Sequence, residues 1–418
     1  MIKLHNWFTN LIKKSDFRIE WIPLSKSSFW LFKSGKIIHK SGRFFKIIGV
    51  QFHDYKGNVA EQPLIDQREV GTLGFLIRER KQKKEILVQA KIEPGNSNII
   101  QLAPTCQATK SNSMMVHGGN EPPFSHLFIK EHPQIISSTL QSEQGSKFFE
   151  KRNQNILAVS NHIMEIPDTH QWISVEKILA LLSEDFLVNT DARSVLTCSP
   201  WDKLVGWMPF SRLNDSFSKE LGFSYKQNVK TGQFKNMKNA LIAVQKKNYV
   251  IKTIPLEKLK DWKITDFEIS PSNKKLFRVR HLKVTAKNRE VPEWDQPIID
   301  SYEEGLVNLV CGRINGVLHF YFSIITEAGL YNNAELSPII RNYSKYPNVK
   351  VIKSVMQSDE GGRFYQDIAR YQVVDIGEAD LTLPGYWLNL AQIQYLLLKN
   401  GRFTNEARSA ISLLLYWL

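Results

Sequence analysis

The chain has 418 residues, 42% hydrophobic and 23% charged, with 55 Lys and Arg against 41 Asp and Glu for a net charge of +14. This is an ordinary globular balance with room for two domains, each able to bury its own core, and the C-terminal AISLLLYWL is too short to cross a bilayer. Three cysteines (Cys106, Cys198, Cys311) give neither an even disulfide framework nor metal-ligand spacing, and with no signal-peptide pattern this points to a reducing cytosol.

In chain order, residues 1–21 predict a short amphipathic helix on Trp7, Leu11 and Ile12, a docking arm. GKIIHKSGRFFKIIGVQF predicts a hairpin about Lys40-Ser41-Gly42. GTLGFLI and EILVQAKI predict buried strands on either side of a charged turn. Ser174 and Asn389 suit helix N-caps, followed by apolar stripes Val175, Ile178, Leu181, Leu182 and Leu390, Ile393, Leu396, Leu397. A further helix is expected to start at Thr190 and again at Asn405. Asp191 and Glu406 then fall in the first turn, where negative charge suits the helix dipole. Strands followed by helices predict an α+β (mixed α/β) fold. Lysines cluster from Lys226 to Lys263 in what reads as a connector with a short amphipathic element. The surplus of positive charge favours an anionic ligand, a pyrophosphate or a nucleic acid. No RNP aromatic signature or zinc module accompanies it, so nucleic acid is not the expected partner.

The chain also repeats itself. QPLID (Gln62–Asp66) returns as QPIID (Gln296–Asp300), and Glu93, Gly95, Leu102 and Pro104 return as Glu327, Gly329, Leu336 and Pro338 at the same offset. IPLSKSSFW pairs with IPLEKLKDW, LQSEQGSKFF with MQSDEGGRFY, and TDARS with NEARS. Such a repeat predicts a tandem duplication: an arm at 1–14, units at 15–198 and 250–418, and a Lys-rich connector at 199–249. Only the first copy holds MMVHGGNEPPF, around His117, and only the second holds Trp294.

SGRFF, LVQAKIEPGN, QLAPTCQAT, VHGG, LQSEQG and KRNQN, with EWDQPII, EGGRFY and NEARS later in the chain, resemble the NDP-hexose 2,3-dehydratase family. Glu61, before the first QP, and Gln154, in KRNQN, depart from that family's wording. The resemblance implies two Nudix-like units, a homodimer, and a place in deoxysugar biosynthesis. The implied substrate is a nucleoside-diphosphate (usually dTDP) 4-keto-6-deoxyhexose. Water would be removed across C2 and C3, and a ketoreductase would act on the 3,4-diketo product. The hydrolytic Nudix box is absent, which counts against a pyrophosphatase and against Mg²⁺; a non-catalytic nucleotide-sugar binder is the other alternative.

That reaction needs a base at C3, a donor at O4 and an acid at O2, and no cofactor. The catalytic candidates are His117, Glu143, Glu360 and Tyr365, against bland roles as loop, turn and packed aromatic residues. For the pyrophosphate, Arg152, Arg193, Arg363, Arg408 and Lys147 qualify, because a guanidinium fork matches phosphate oxygens. Arg193 and Arg408 hold the same repeat position and suit bracing equally. Trp294 is a candidate base-stacking residue, and Asn153 and Asn155 suit sugar or base contacts. Lys151, Ser194, Phe364 and Asn405 complete the binding set. Glu93 and Glu327 read as turn or buried hydrogen-bonding residues. The aromatic group in the second copy directs the catalytic expectation to that copy's pocket.

Overall fold

The computed structural model describes residues 2–109, 121–131, 134–160, 165–287, 291–338 and 349–418. The described residues form a mixed α/β protein built on four mixed sheets. The predicted hairpins form. Strand Lys36–His39 turns into Lys46–His53, and Gly71–Arg80 turns into Lys83–Ile92 through Lys81 and Gln82. Gly305–Ile314 and Val317–Thr326 repeat the second hairpin around Asn315 and Gly316.

Two sheets carry the helices. In one, Arg152–Val159 lies parallel to Gly71–Arg80 and antiparallel to Gln134–Ser142. In the other, Ile368–Glu378 lies parallel to Gly305–Ile314 and antiparallel to Lys350–Ser358. Phe75, Val88 and Leu157 of the first sheet share one core with Phe320 and Val373 of the second, closed by helix residues Ile178, Leu196, Ile393 and Ile411. Each such side chain contributes about 2 kcal/mol by leaving water. The apolar C-terminus is spent here too: Leu413, Leu414 and Leu415 are buried. So are Leu4, Phe8 and Leu11 of the N-terminal helix Ile2–Ser15.

The other two sheets trade strands. Arg18–Trp21 pairs with Phe277–Thr285, far along the chain, while Val250–Ile254 pairs with Lys46–His53. Their joint core holds Trp30, Phe45, Phe148, Phe277 and Phe364. Glu61 sits at this junction, accepting from the Lys260 backbone N–H at 2.9 Å and from Gln51 Nε2 at 2.6 Å. Gln154 is half-buried and donates to Ser138 Oγ.

Ser174 and Asn389 cap helices Val175–Leu181 and Leu390–Leu397 as expected, Asn389 within a full capping box. Helices Thr190–Thr197 and Asn405–Ser412 start at the expected residues, and their caps are Asn189 and Thr404, whose side-chain oxygens accept the Ala192 and Ala407 N–H groups. The lysine-rich stretch contributes two helices, Ser216–Tyr225 and Gly232–Gln245, preceded by Trp201–Val205. They bury Trp201, Phe217, Leu221, Phe234 and Met237, so the lysines are the solvated face of a packed layer.

The turn at Gly95 threads into the turn at Gly361: Gly95 N–H donates to Gly361 O, and Gln366 N–H to Gly95 O, both at 2.7 Å. Gly329 docks on Gly145 in the same way. A β-carbon on Gly95 would lie 1.6 Å from Phe364 O, and one on Gly329 would lie 1.6 Å from Phe148 O. Either alanine substitution is therefore expected to cost about 3 kcal/mol in urea unfolding. Gly232→Ala, with open space around it, should stay within about 0.5 kcal/mol. A loss below about 1 kcal/mol at Gly95 and Gly329 contradicts this interlock.

Candidate active site

Helices Thr190–Thr197 and Asn405–Ser412 pack face to face, each contributing a buried arginine. Arg193 (0% exposed) donates through Nη1 to Val188 O at 2.7 Å, through Nη2 to Ser358 O at 2.9 Å, and through Nε to Ser409 Oγ at 3.3 Å. Arg408 (1% exposed) does the converse, to Phe403 O at 2.6 Å, Ser142 O at 2.5 Å and Ser194 Oγ at 2.8 Å. Each arginine thus grips the backbone just before Asp359 or Glu143. Read from the sequence as diphosphate partners, both have their donors engaged inside the protein. Ser194 belongs to the same lattice, accepting from Asn155 Nδ2 at 2.6 Å as well.

Beyond Ser142 the Glu143 carboxylate is held at both oxygens. Asn153 Nδ2 donates to Oε1 at 2.6 Å and Asn405 Nδ2 to Oε2 at 3.0 Å, with Thr190 Oγ1 donating to Asn405 Oδ1 to set that amide. Glu360 is its electrostatic neighbour, although 217 positions separate them in the chain. Burial and Glu360 together push the Glu143 carboxyl up to about 7. Burial, with Glu93 adding to it, also raises Glu360. Glu93 and Glu360 each present an oxygen 3.3 Å from where a β-carbon of Gly362 would be, so a glycine there leaves both carboxylates room.

Cations surround this group. Lys91 Nζ lies 3.0 Å from Glu93 Oε1. Lys151 Nζ donates to Glu69 O at 2.7 Å, and burial lowers its pKa. Arg363 stacks on the Phe45 ring at 4.2 Å, with Nε donating to Gln67 Oε1 at 3.1 Å and Nη1 to Gly362 O at 2.8 Å. Gln107 bridges Glu93 to the helix cap Asn189. Asp191, in the first turn beyond that cap, is 1% exposed. Four carboxyl groups, Glu93, Glu143, Asp191 and Glu360, and three cations, Lys91, Lys151 and Arg363, thus converge from both halves of the chain.

A second cluster forms around Lys147, which is ion-paired to Asp367 and lies 3.6 Å from Asp359. Burial opposes the Lys147 ammonium, yet Asp367 and Asp359 outweigh it and raise its pKa. Burial raises Glu327 to about 8, with Glu406 and Glu335 adding, and raises Glu335 and Asp359 to about 7. Glu335 accepts from Ser142 Oγ, linking the two clusters.

The remaining predicted residues lie around these clusters. Phe364 is core, its ring 5.3 Å from Phe148. Tyr365 packs edge-on against Trp21 at 4.7 Å, beside Trp294. Trp294 Nε1 donates to Gln296 Oε1, and Gln296 Nε2 to Gly362 O, so Trp294 reaches the Arg363 loop through one amide. Arg152 stacks on Tyr331 at 3.3 Å. His117 lies outside the described residues. Sequence reasoning missed Lys91, Gln67, Gln107, Asp359, Asp367 and Asp191, while Glu93, read as a turn or buried hydrogen-bonding residue, is buried and accepts from Gln107. The Asp191/Glu406 match was the available signal, and it was assigned to the helix dipole alone.

Carboxyls raised from about 4.5 to between 7 and 8 keep protons in the folded chain that the unfolded chain releases over that window. Their stabilisation is fully present below pH 4.5 and is lost as pH rises through the folded values. Glu327→Gln should therefore melt with the wild type at pH 4 and about 2–4 °C above it at pH 8.5. A gap that does not change with pH contradicts the raised carboxyl.

The arrangement suits proton transfer on an anionic ligand, because perturbed carboxyls beside cations mark such sites. The family model for NDP-hexose 2,3-dehydratase matches residues 1–199, 237–350 and 340–414. A dTDP-4-dehydro-6-deoxy-alpha-D-glucopyranose 2,3-dehydratase of Saccharopolyspora spinosa is 32% identical, over 98% of this chain and 90% of its own length. Proteins of the same name from Amycolatopsis orientalis and Streptomyces violaceoruber are each 31% identical, over 97% and 98% of this chain and 88% and 95% of their own lengths. With the family model matching most of the chain and these relatives aligned along nearly all of it, the chain belongs to the NDP-hexose 2,3-dehydratase family.

Proposed function

We propose that this enzyme removes water across C2 and C3 of dTDP-4-keto-6-deoxyglucose, giving a 3,4-diketo-2,6-dideoxy sugar nucleotide for deoxysugar biosynthesis. The observation that carries this reading is the meeting of Glu143 and Glu360 in one buried cluster with Lys91, Lys151 and Arg363. The 4-keto group acidifies the C3 proton. Glu143, raised to about 7 and oriented by Asn153 and Asn405, is matched to take that proton near neutral pH. Charge then builds on O4, where a fixed donor stabilises it. Lys151 and Lys91 supply positive charge to that end of the cluster, and Arg363 is our candidate for the diphosphate. Trp294, poised beside the same loop, is the candidate for the base. No redox partner enters this scheme.

The tandem reading, with two Nudix-like units at 15–198 and 250–418 joined by a connector at 199–249, draws support from matched connectivity. Each half repeats the same hairpin, the same parallel pairing and the same helix pair. Two pockets follow from it, and they differ in charge. Lys91, Lys151 and Arg363 face the Glu143 and Glu360 cluster, whereas Lys147 is already flanked by Asp367 and Asp359. We therefore assign chemistry to the Arg363 cluster and a binding or structural role to the other. A homodimer in the cytoplasm, with a ketoreductase consuming the unstable product, completes the proposal. No described helix is long and apolar enough to cross a membrane.

Incubation with dTDP-4-keto-6-deoxyglucose should yield the labile diketo product without added cofactor. Glu143→Gln should lower kcat by about 10²–10⁴. Arg363→Ala should act mainly on KM, by about tenfold, through lost ground-state binding. A Glu143→Gln enzyme within about threefold of wild type rejects Glu143 as the base.

A further inference from the structure

Elimination needs two protonic groups in opposite states, one ionised to take the C3 proton and one protonated to release O2 as water. At Glu143 two amide donors face the oxygens and favour the ionised form against the burial that raises it. Asp191 is built for the other. It lies in the first turn of helix Thr190–Thr197, anchored by the Asn189 cap, whose amide is tied through Gln107 to Glu93. Its side chain is 1% exposed, and its Oδ1 has no hydrogen-bond partner among the described residues. Glu360, Glu143 and Glu93 all act on it.

We propose that Asp191 is the acid that delivers a proton to the departing C2 hydroxyl, opposite Glu143 as the C3 base. This rests on the dehydratase reading given above. Glu143 takes the C3 proton, and the C–H electron pair moves into an enolate on C3, C4 and O4. That pair then forms the C2–C3 double bond as the C2–O bond breaks, and oxygen leaves as water with the proton of Asp191. Tautomerisation of the resulting enol closes the cycle. Glu143 returns its proton to C2 while the O3 proton passes to Asp191, so both groups recover their starting states. Burial, reinforced by Glu360 and Glu143, holds the Asp191 carboxyl protonated well above the ordinary aspartate range. The asparagine analogue keeps the shape of that neutral acid and has no proton to give.

The test is turnover in D₂O with recovery of unreacted substrate. Asp191→Asn should lower elimination by about 10²–10⁴ while still exchanging deuterium into C3, because the base is intact. Glu143→Gln should lose both. An Asp191→Asn enzyme that eliminates within about threefold of wild type overturns the assignment. So does one that melts like wild type yet takes up no deuterium, since its role is then structural. Should the amide variant melt early, Asp191→Ala with added formate decides the matter. Recovery of elimination supports the acid role, and no recovery overturns it. If the wild type itself removes no water from this sugar, the dehydratase reading fails; if it does and Asp191→Asn matches it, only Asp191 loses its role.

Discussion

Two buried guanidiniums hold this molecule together. Arg193 and Arg408 lie between facing helices, and each reaches across to a backbone carbonyl in the other half of the chain, Ser358 and Ser142. Burying such charge is costly, and it is tolerated because the fixed fork of each arginine meets three acceptors. Removing one partner of a buried charge typically costs about 3–5 kcal/mol, so neither helix shifts alone. The carbonyls they hold stand one residue before Glu143 and Asp359. The positions of Glu143 and Asp359 are therefore set by a cross-brace rather than by the loops they sit on.

The same crossing explains the electrostatics. Glu143, Glu360, Glu93 and Asp191 are drawn into one region with little water, where like charges close together cannot all ionise. Lys91, Lys151 and Arg363 offset part of that charge. Protons therefore remain in the cluster near neutral pH, which acid–base chemistry on a sugar requires. Around Lys147, Asp367 stands where Lys151 stands in the first cluster's motif, and Gln144 where Glu360 stands. One exchange removes a cation and the other an acid. Lys147 is therefore left between two aspartates that already neutralise it.

Local features were legible in the sequence because local forces set them. The hairpins followed from alternation and turn residues, and the Ser174 and Asn389 caps from their side-chain oxygens. Glu143, Glu360, Arg363, Lys151, Asn153 and Asn405 were also named, since they sit in repeated polar motifs. Their meeting in one cluster was not legible, because strand exchange and turn interlock join segments some 200–300 residues apart. For Arg193 and Arg408 ligand contact and bracing read equally well for the same reason: an arginine on a helix shows its partners only after the opposite helix arrives. Asp191 was hidden behind a sufficient local explanation, its place near a helix N-terminus, while the burial that changes its chemistry comes from tertiary packing. The lysine-rich stretch misled in the other direction. Its charge drew attention, while its apolar residues were building a packed helical layer.

The central claim is that catalysis occurs where both halves of the chain meet. A crystal structure with dTDP and a non-reacting 4-keto sugar analogue tests it most directly. The account requires the hexose within about 3 Å of Glu143 and Glu360 together, with the Arg363 guanidinium on the diphosphate. A hexose held by carboxylates from only one half, or lying remote from both glutamates, contradicts it.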